Sequence, residues 1–578
     1  MESQTSSPGN NPLKFDVDES PPWGLSSLLA LQTVLLSVAG IILTPAIVLR
    51  GAAMPASMEA GVIFYALVIS GITTILQAKK VWRFGSGYIL LMGTSGAFIA
   101  VGISALESGG MSLLMTLIIA SSLIQFIFAN HLGLLRRLVT PLVGGTTIML
   151  IAVTVMPIVF SHFPVQALGD AGYEDPLVAL VTLAGILGLT FFGVRSLRLW
   201  APIIGIILGS IVSYCFGNLD LSSVAQSPWI GLPTLEWSGF DLSFSSHFWV
   251  LLPAFIIVTI VGAIETYGDA IAVQQISHRK SKPIDYRSVQ GALYADGLGN
   301  LLSGILGTLP NTTYSTSISV VDMTGVAARR VGIICGIIMT MLAFFPKITA
   351  LILAIPKPVV GSYLLILILL LFIHGVKMVA SEGLGFENGI VIGMGFWLGT
   401  GFQQQAIFQA YIPSWLAPIL NNGMTSGTLV TLLLVGLLNL RHGRKALLKT
   451  KFSIKELPGI NQFITEFAKK NKWNSRSLGR IQLAVEEIIL GLADMGQSPK
   501  NNLPAKFRIE LRMIDDQVEI DMAISSMDEN IELLIDAAKL SKQVPINQLS
   551  FKILGSLPDE IRHYQFHGLD FICLKIKI

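Results

Sequence analysis

A long apolar run in the middle of the chain leads directly into acidic residues. Residues 255–264 are almost entirely apolar, and Glu265 and Asp269 follow within the next five positions. Asp296 lies in a second apolar stretch, and the polar run 309–317 comes after it. A charge at the centre of a bilayer costs about 2.5–3.5 kcal/mol, so intramembrane acids usually mark the path of an ion or a substrate. The pattern therefore indicates a polar site at mid-membrane depth, which is typical of carriers.

The overall composition is that of a membrane protein rather than a soluble domain. The chain has 578 residues, of which 52% are hydrophobic and only 13% are charged, whereas soluble domains carry roughly 25% charged residues. The net charge of +3 is too small to indicate a nucleic-acid partner. The three cysteines, Cys215, Cys335 and Cys573, have no metal-binding or redox spacing. We therefore expect neither a metal, a cofactor nor a catalytic residue.

About fourteen apolar segments have spanning or half-spanning length, if a full span takes about 20 residues. They are predicted at residues 25–49, 59–78, 87–105, 112–131, 135–160, 177–195, 199–217, 247–276, 290–307, 312–326, 329–354, 358–378, 386–411 and 423–440. The third and tenth segments are too polar and too rich in glycine for continuous helices. Residues 1–24 have no positively charged start before an apolar core, so they predict a disordered tail rather than a cleaved signal.

Basic residues predict how these segments are oriented. They cluster after every second segment, for example at Arg136 and Arg137 and at Arg441. Loops on the other side, such as residues 161–176 and 218–246, contain acidic residues and no lysine or arginine. The positive-inside rule places both termini in the cytoplasm. The chain is thus predicted to be an α-helical, multi-pass protein of the plasma membrane, which in bacteria is the inner membrane.

The composition changes near residue 446, where the long apolar runs end and charged residues become frequent. Amphipathic periods predict helices over residues 454–472 and 475–495. Alternating patterns predict strands at residues 505–512, 517–524 and 571–578. Residues 452–578 are therefore predicted to form a separate cytoplasmic α/β domain.

Four ordered blocks carry a resemblance to a known family. They are Glu-Thr-Tyr-Gly-Asp at 265–269, Ala-Asp-Gly-Leu-Gly at 295–299, Leu-Pro-Asn-Thr-Thr-Tyr-Ser at 309–315 and Thr-Gly-Val at 324–326. At this spacing the chain resembles the nucleobase–cation symporter family of uracil, xanthine and ascorbate permeases, over roughly residues 25–441.

The resemblance implies an architecture for residues 25–445. Fourteen transmembrane segments would form two inverted repeats of seven. Segments 1–4 and 8–11 would build a core domain, and segments 5–7 and 12–14 a gate domain. Segments 3 and 10 would be half strand and half helix, crossing near the midplane. Irregular backbone of this kind is tolerated only where it is shielded from lipid.

The resemblance also implies roles for the three acidic residues. Glu265 matches the segment-8 glutamate that contacts the substrate, and a carboxylate accepting ring N–H groups makes a strong, charge-assisted bond. Asp269 lies four residues later on the same helical face, and it belongs either to the substrate shell or to its support. Asp296 matches an acidic position in segment 9 and is assigned a support role. The alternatives are that Glu265 bridges helices and that Asp296 caps a glycine-rich turn.

Further substrate-binding candidates come from segments 1, 3 and 10. Small residues there allow a ligand to approach the backbone closely, although they also suit helix packing. The candidates are Gln32, Gly96, Ala97, Phe98, Tyr314, Ser315, Thr316 and Ser317.

The chain departs from the family pattern at two places in these segments. Family members carry Glu-Asn or Gln-Asn where this chain has Thr316-Ser317, and Gln-His where it has Gln32-Thr33. The second substrate-reading side chain is thereby shortened to a hydroxyl. A shorter anchor leaves room for a larger or differently substituted ring, so the hypothesis is a purine-like or oxidised purine substrate.

The C-terminal domain carries a second, weaker resemblance. Residues 480–488 are similar to the first motif of anti-sigma-factor kinases and histidine-kinase ATPase domains, in which an asparagine four residues after a glutamate holds Mg²⁺. Here Glu487 is followed at that offset by Gly491, and residues 525–530 lack the glycines that would admit phosphates. A degenerate domain that contacts a cytoplasmic protein or regulates the carrier is favoured over ATP binding.

Three functional hypotheses follow. The first is symport of a nucleobase-like solute with H⁺ or Na⁺ by elevator-type alternating access, in a carrier that forms a homodimer by analogy with the family. The second is an anion carrier of the sulfate-permease type, although Glu265 would repel an anion. The third is a transporter-like sensor that signals through residues 452–578.

Overall fold

The structure is a computed structural model. It describes residues 13–135, 140–163, 173–234, 237–280, 282–381, 383–413, 416, 420–441, 445–494, 506–514, 517–525, 530–540 and 549–578. The chain divides into two compact units. The membrane unit takes in residues up to 129, 137–279 and 291–434, and the C-terminal unit takes in residues 130–136, 280–290 and 435–578.

Helices dominate the chain as far as residue 441. They are α1 (Trp23–Gly51), α2 (Ser57–Lys79), α3 (Ile99–Asn130), α4 (Leu132–Leu135), α5 (Pro141–Phe160), α6 (Glu174–Phe192), α7 (Arg195–Cys215), α8 (Ser222–Gln226), α9 (Ser246–Ile276), α10 (Tyr286–Leu306), α11 (Thr316–Thr324), α12 (Arg329–Leu342), α13 (Pro346–Leu353), α14 (Lys357–Ser381), α15 (Phe386–Gln403) and α16 (Gly423–Arg441). Gly109 and Gly110 break α3, and Gly110 has a φ of +67° that favours glycine. This break falls between the third and fourth predicted segments.

Several helices have the length and composition of membrane spans. Within the described residues, six helices pass this test, and a seventh span results if α12 and α13, bent by 85°, count as one. Three shorter apolar helices lie within α5, α7 and α16. The chain is therefore a helical, polytopic membrane protein. Its fourteen segments and two repeats remain predictions.

Two short strands interrupt the helices of the membrane unit. Strand β1 (Leu91–Thr94) pairs antiparallel with β2 (Asn311–Tyr314), so that Gly93 lies opposite Thr312. After β1 the chain makes a 3₁₀ turn, Gly96–Phe98, before entering α3, and β2 leads through Ser315 into α11. The two strands pair with each other's backbone groups, as broken segments inside a membrane must. The prediction that these two segments are part strand and part helix is confirmed.

The predicted disorder of residues 1–24 is wrong for its second half. Phe15 forms a parallel bridge with Val326, and Val17 is buried. Glu19 pairs with Arg279 at 2.6 Å, and the hydrogen bond from this guanidinium lowers the pKa of the Glu19 carboxyl. The polar composition of the tail concealed these apolar anchors and ion pairs. Residues 1–12 lie outside the described part of the chain.

The C-terminal unit is built on a five-stranded antiparallel sheet in the order β3-β4-β5-β7-β6. Its elements are β3 (Lys445–Lys451), α17 (Leu457–Lys470), α18 (Ser475–Asp494), β4 (Lys506–Ile514), β5 (Gln517–Ser525), α19 (Ile531–Leu540), α20 (Leu549–Leu554), β6 (Glu560–Gln565) and β7 (Leu569–Lys577). The predicted helices and strands are confirmed within a few residues, whereas β3 and β6 were not predicted. Both are edge strands, and β3 carries Lys445, Lys449 and Lys451, a pattern that protects an open sheet edge.

Candidate functional site

Glu265 and Asp269 lie on α9, facing strand β2 and the start of α11. The hydroxyl of Thr312 donates to Glu265 Oε2 over 3.4 Å. The hydroxyls of Thr313 and Ser315 donate to the two oxygens of Asp269 over 2.7 and 2.8 Å. The helical spacing of four residues therefore brings both carboxylates to the same broken segment, as the sequence predicts.

Asp296, on α10, is completely buried and accepts three hydrogen bonds. Thr266 Oγ1 and Gln125 Nε2 donate to its Oδ2 over 2.9 and 2.8 Å. Asn300 Nδ2 donates more weakly to Oδ1 over 3.4 Å. A buried carboxylate is tolerated where hydrogen bonds satisfy it in this way. The support role of Asp296 in transport stays a prediction.

The same network fixes the beginning of β2. Asn300 Nδ2 also donates to Gln125 Oε1 over 2.8 Å, and Asn300 Oδ1 accepts from the backbone N–H of Asn311 over 2.6 Å. Strand β2 is thus anchored at its start through Asn300 and at its end through Ser315 and Asp269. The carboxylates of α9 and α10 therefore hold an irregular backbone segment in place.

The three carboxylates differ in how many donors they already have. An ionised carboxylate has about four acceptor sites. Among the described residues, Asp296 receives three hydrogen bonds and Asp269 two short ones, whereas Glu265 receives only the long bond from Thr312. Glu265 is also partly exposed, whereas the other two are buried. It is the carboxylate with the most capacity left for a ligand.

Tyr314 is the last residue of β2, and its ring packs against the pair formed by β1 and β2, which we call the strand crossing. Its hydroxyl donates to the backbone oxygen of Thr94 over 2.8 Å. Gly93 lies under its ring, because a Cβ at that position would be 2.5 Å from a ring carbon. A Cβ at Gly40 would lie 3.2 Å from its hydroxyl. The ring is therefore fitted between two glycines on different elements.

The remaining candidates are distributed around this crossing. Thr316 shares a hydrogen bond of 3.1 Å with Ser37 of α1, and Gln32 is partly buried on the same helix. Gly96 is exposed and Ala97 partly so, and a Cβ on Gly96 would meet nothing within 4 Å.

The side chains of two candidates already make other contacts within the protein. Phe98 is buried, with its ring centroid 5.9 Å from that of Phe255. Ser317 is buried and donates to the backbone oxygen of Tyr314. The structure thus favours packing and backbone roles for these two side chains.

Several residues of the network were missed by the sequence reasoning. They are Ser37, Gln125, Thr266, Asn300, Thr312 and Thr313. A signal existed for two of them. Gln125 is an amide inside a long apolar run, and Asn300 follows Asp296 by four residues and so shares its helical face.

Replacing Gln125 with alanine is expected to lower the melting temperature of the purified full-length protein. The change leaves Asp296 and Asn300 short of a partner in a buried site, which costs about 1–3 kcal/mol. The matched control is Ser121→Ala on the same helix, since Ser121 is equally buried but bonds only to the backbone oxygen of Ile118. Equal melting temperatures for the two variants would contradict the role assigned to the network.

Long apolar helices, a strand crossing and buried carboxylates define an integral membrane carrier. Residues 24–408 match the model of the Permease family (Xan_ur_permease), and the chain belongs to this family. The resemblance noted from the four sequence blocks is thereby confirmed. The protein is a membrane transporter and not an enzyme.

Three relatives that align over more than nine-tenths of their own length carry related names. Xanthine permease XanP of Escherichia coli (strain K12) is 27% identical over 454 residues, covering 75% of this chain and 97% of the relative. Putative purine permease CPE0397 of Clostridium perfringens (strain 13 / Type A) is 28% identical over 431 residues, covering 73% and 92%. Uric acid permease PucK of Bacillus subtilis (strain 168) is 28% identical over 438 residues, covering 73% and 97%.

A solved structure of SLC26A9 aligns with 72% of this chain and 67% of its own. The TM-score is 0.49 and the identity 13%, and this similarity is too low to bear on fold or substrate.

The position that matches the ATPase magnesium ligand is packed. A Cβ at Gly491 would lie 3.1 Å from the ring of Phe551 and 3.2 Å from Ser550 Cβ. This face of α18 therefore meets α20, so a longer side chain would have to displace Phe551 before it could reach a nucleotide. The predicted phosphate-loop region, residues 525–530, lies mostly outside the described part of the chain. That this domain does not bind ATP stays a prediction from the sequence.

Proposed function

We propose that the protein is a secondary active transporter of a purine-like nucleobase or a related heterocycle. The observation that carries this proposal is Glu265, which faces the strand crossing with most of its acceptor capacity unused. The names of the relatives, which are xanthine, purine and uric acid permeases, support the substrate class.

The chemistry of such a ring suits this carboxylate. Purines such as xanthine and urate present N–H donors and carbonyl acceptors in one plane. A carboxylate can accept two adjacent ring N–H groups at once, and such charge-assisted bonds are about twice as strong as neutral ones. The ring carbonyls would be met by hydroxyl and backbone donors near Gly96 and Ser315.

Thr316, at the position of the family's second substrate-binding side chain, supports the choice of an oxidised or larger purine. Thr316 is short and is already bonded to Ser37. It therefore leaves more room than the Glu or Gln of the family pattern. A hydroxyl can also donate to a ring carbonyl, which an oxidised purine has in greater number.

We infer the transport mechanism from the family architecture. Fourteen segments in core and gate domains would move against each other in elevator-type alternating access, which would expose Glu265 to each side in turn. Coupling to H⁺ or Na⁺ would supply the energy. The same proposal places the protein in the plasma membrane as a homodimer, with both termini in the cytoplasm.

The proposal is tested by uptake into proteoliposomes that contain the purified full-length protein. The panel is labelled uracil, xanthine, urate, ascorbate and sulfate, each with and without a protonophore and in the presence or absence of Na⁺. We expect saturable uptake of xanthine or urate that depends on one of the two ion gradients. Uptake of sulfate alone would favour the anion carrier, and binding of a ring compound without its accumulation would favour the sensor.

A further inference from the structure

Two segments from earlier in the chain belong to the C-terminal unit, residues 130–136 and 280–290. The second segment connects α9 to α10, which carry Glu265 and Asp296. Both segments pack against β6, β7 and the turn between them, residues 560–577, which we call the docking hairpin. The chemistry of substrate binding does not account for this contact.

Polar contacts join segment 280–290 to the docking hairpin. The backbone N–H of His567 donates to Gln290 Oε1 over 2.7 Å, and Gln290 is almost fully buried. Arg287 Nη2 lies 3.7 Å from Asp570 Oδ2. Asp570 has no exposed surface, and a buried charge that loses its partner is strongly destabilising. These contacts are therefore specific rather than incidental.

Asp570 also shapes the hairpin that presents it. Its Oδ1 accepts from the backbone N–H of Phe566 over 3.1 Å, and Gly568, with a φ of +94°, completes the turn. His563 Nε2 lies 3.5 Å from the same oxygen that faces Arg287. One buried carboxylate thus links the turn, strand β6 and segment 280–290.

Aromatic packing extends the contact to both segments. The Tyr286 ring centroid lies 5.0 Å from that of Tyr564 and 5.5 Å from that of Phe566. Gly133, in the other segment, fits closely against the hairpin, because a Cβ there would be 2.6 Å from the ring of Phe571. The docking hairpin therefore holds both segments at once.

We propose that the docking hairpin restrains transport by fastening segments 130–136 and 280–290 together. This inference rests on the proposed transport function. Residues 130–136 run from the end of the fourth predicted segment to the start of the fifth, where the core domain would end and the gate domain begin. Segment 280–290 belongs to the core. Since alternating access moves core against gate, a hairpin that binds both segments opposes that movement, and its release speeds transport.

The contact itself is tested by hydrogen exchange of the full-length protein. We expect the amides of residues 286–290 to be protected in the wild type. In Tyr564→Ala they should exchange faster, while β4 and β5 keep their protection and so show that the sheet is folded. Equal exchange of residues 286–290 in both proteins would overturn the docking contact.

The restraint is tested by a double-mutant cycle on uptake. Tyr286→Ala and Tyr564→Ala should each raise the maximal rate about 2- to 10-fold, as expected for the loss of one aromatic contact, with KM unchanged. The double variant should be no faster than either single variant, because both remove the same contact. Arg562→Ala is the control, since Arg562 lies on β6 but pairs with Glu560 near the surface and should leave the rate unchanged.

The outcomes separate the two proposals. Slower uptake in the single variants, or rates that multiply in the double variant, would overturn the restraint while leaving the transport function in place. If no ring compound is taken up by the wild type but residues 286–290 are protected, the proposed function fails, and with it the restraint, while the docking contact stands.

Discussion

Glu265→Gln is expected to abolish saturable uptake of the ring substrate. The substitution keeps the size of the side chain and its contact with Thr312. It replaces a charged acceptor by an amide that has one acceptor oxygen and two N–H donors. The carboxylate can accept two ring N–H groups. The amide oxygen can accept only one of them, and the amide N–H then faces the second ring N–H, with which it cannot form a hydrogen bond.

The expected loss is large. The amide loses one charge-assisted hydrogen bond, worth about 1.5–3 kcal/mol, weakens the second to a neutral bond and leaves an N–H unpaired, so uptake efficiency should fall about a hundred-fold or more. The measurement is the initial rate of uptake against substrate concentration in proteoliposomes with matched protein content. Glu107→Gln is the control, because Glu107 is an exposed glutamate on α3.

Retained uptake would contradict the role of Glu265 as substrate acceptor. If Glu265→Gln transports sulfate but no ring compound, the anion carrier becomes the better hypothesis. Loss of folded protein in this variant but not in Glu107→Gln would instead show that Glu265 holds helices together. The elution profile of the purified variant distinguishes this structural outcome from a loss of function.

Gly93→Ala is expected to destabilise the strand crossing and to reduce uptake. The new Cβ would lie 2.5 Å from the ring of Tyr314, which is held on its other side near Gly40 and by its hydrogen bond to Thr94. The ring cannot turn away without breaking that bond. Overpacking of this kind costs about 1–3 kcal/mol, and we expect both a lower melting temperature and uptake reduced more than ten-fold.

Two further variants identify the cause. Gly188→Ala, within α6, adds the same methyl group where nothing lies within 4 Å, so its melting temperature should not fall. In a Tyr314→Ala background the ring that causes the clash is absent, so Gly93→Ala should lower the melting temperature much less there than in the wild type. A stable and active Gly93→Ala protein would show that Tyr314 is free to move.

Prediction from the sequence succeeded where polar or charged residues lie within stretches that are otherwise apolar enough to span a membrane. Carboxylates at Glu265 and Asp296 and the Thr-rich run at 311–317 stand out against apolar surroundings, and they do converge. The same conflict exposed the two broken segments, since a glycine-rich or hydroxyl-rich stretch cannot be a continuous lipid-facing helix.

Prediction failed where partners are distant in sequence and ordinary in type. Gln125 and Asp296 are 171 residues apart. The residues around one of them do not indicate that the other will contact it. The polar tail is ordered because Phe15 pairs with Val326 and Val17 is buried. Neither contact could be read from the residues of the tail. Strand β6 contains few apolar residues, and it is a strand because β7 supplies its hydrogen bonds.

The sequence by itself determined that this protein is a membrane carrier with acidic groups inside its apolar segments, because apolar length and the positions of charged residues are properties of short stretches. Only the tertiary structure decided which carboxylate is left with acceptor capacity for a ligand and which are committed to holding the backbone. That distinction depends on hydrogen-bond donors from three different segments, and chain folding alone brings them to within three ångströms or so of the acids.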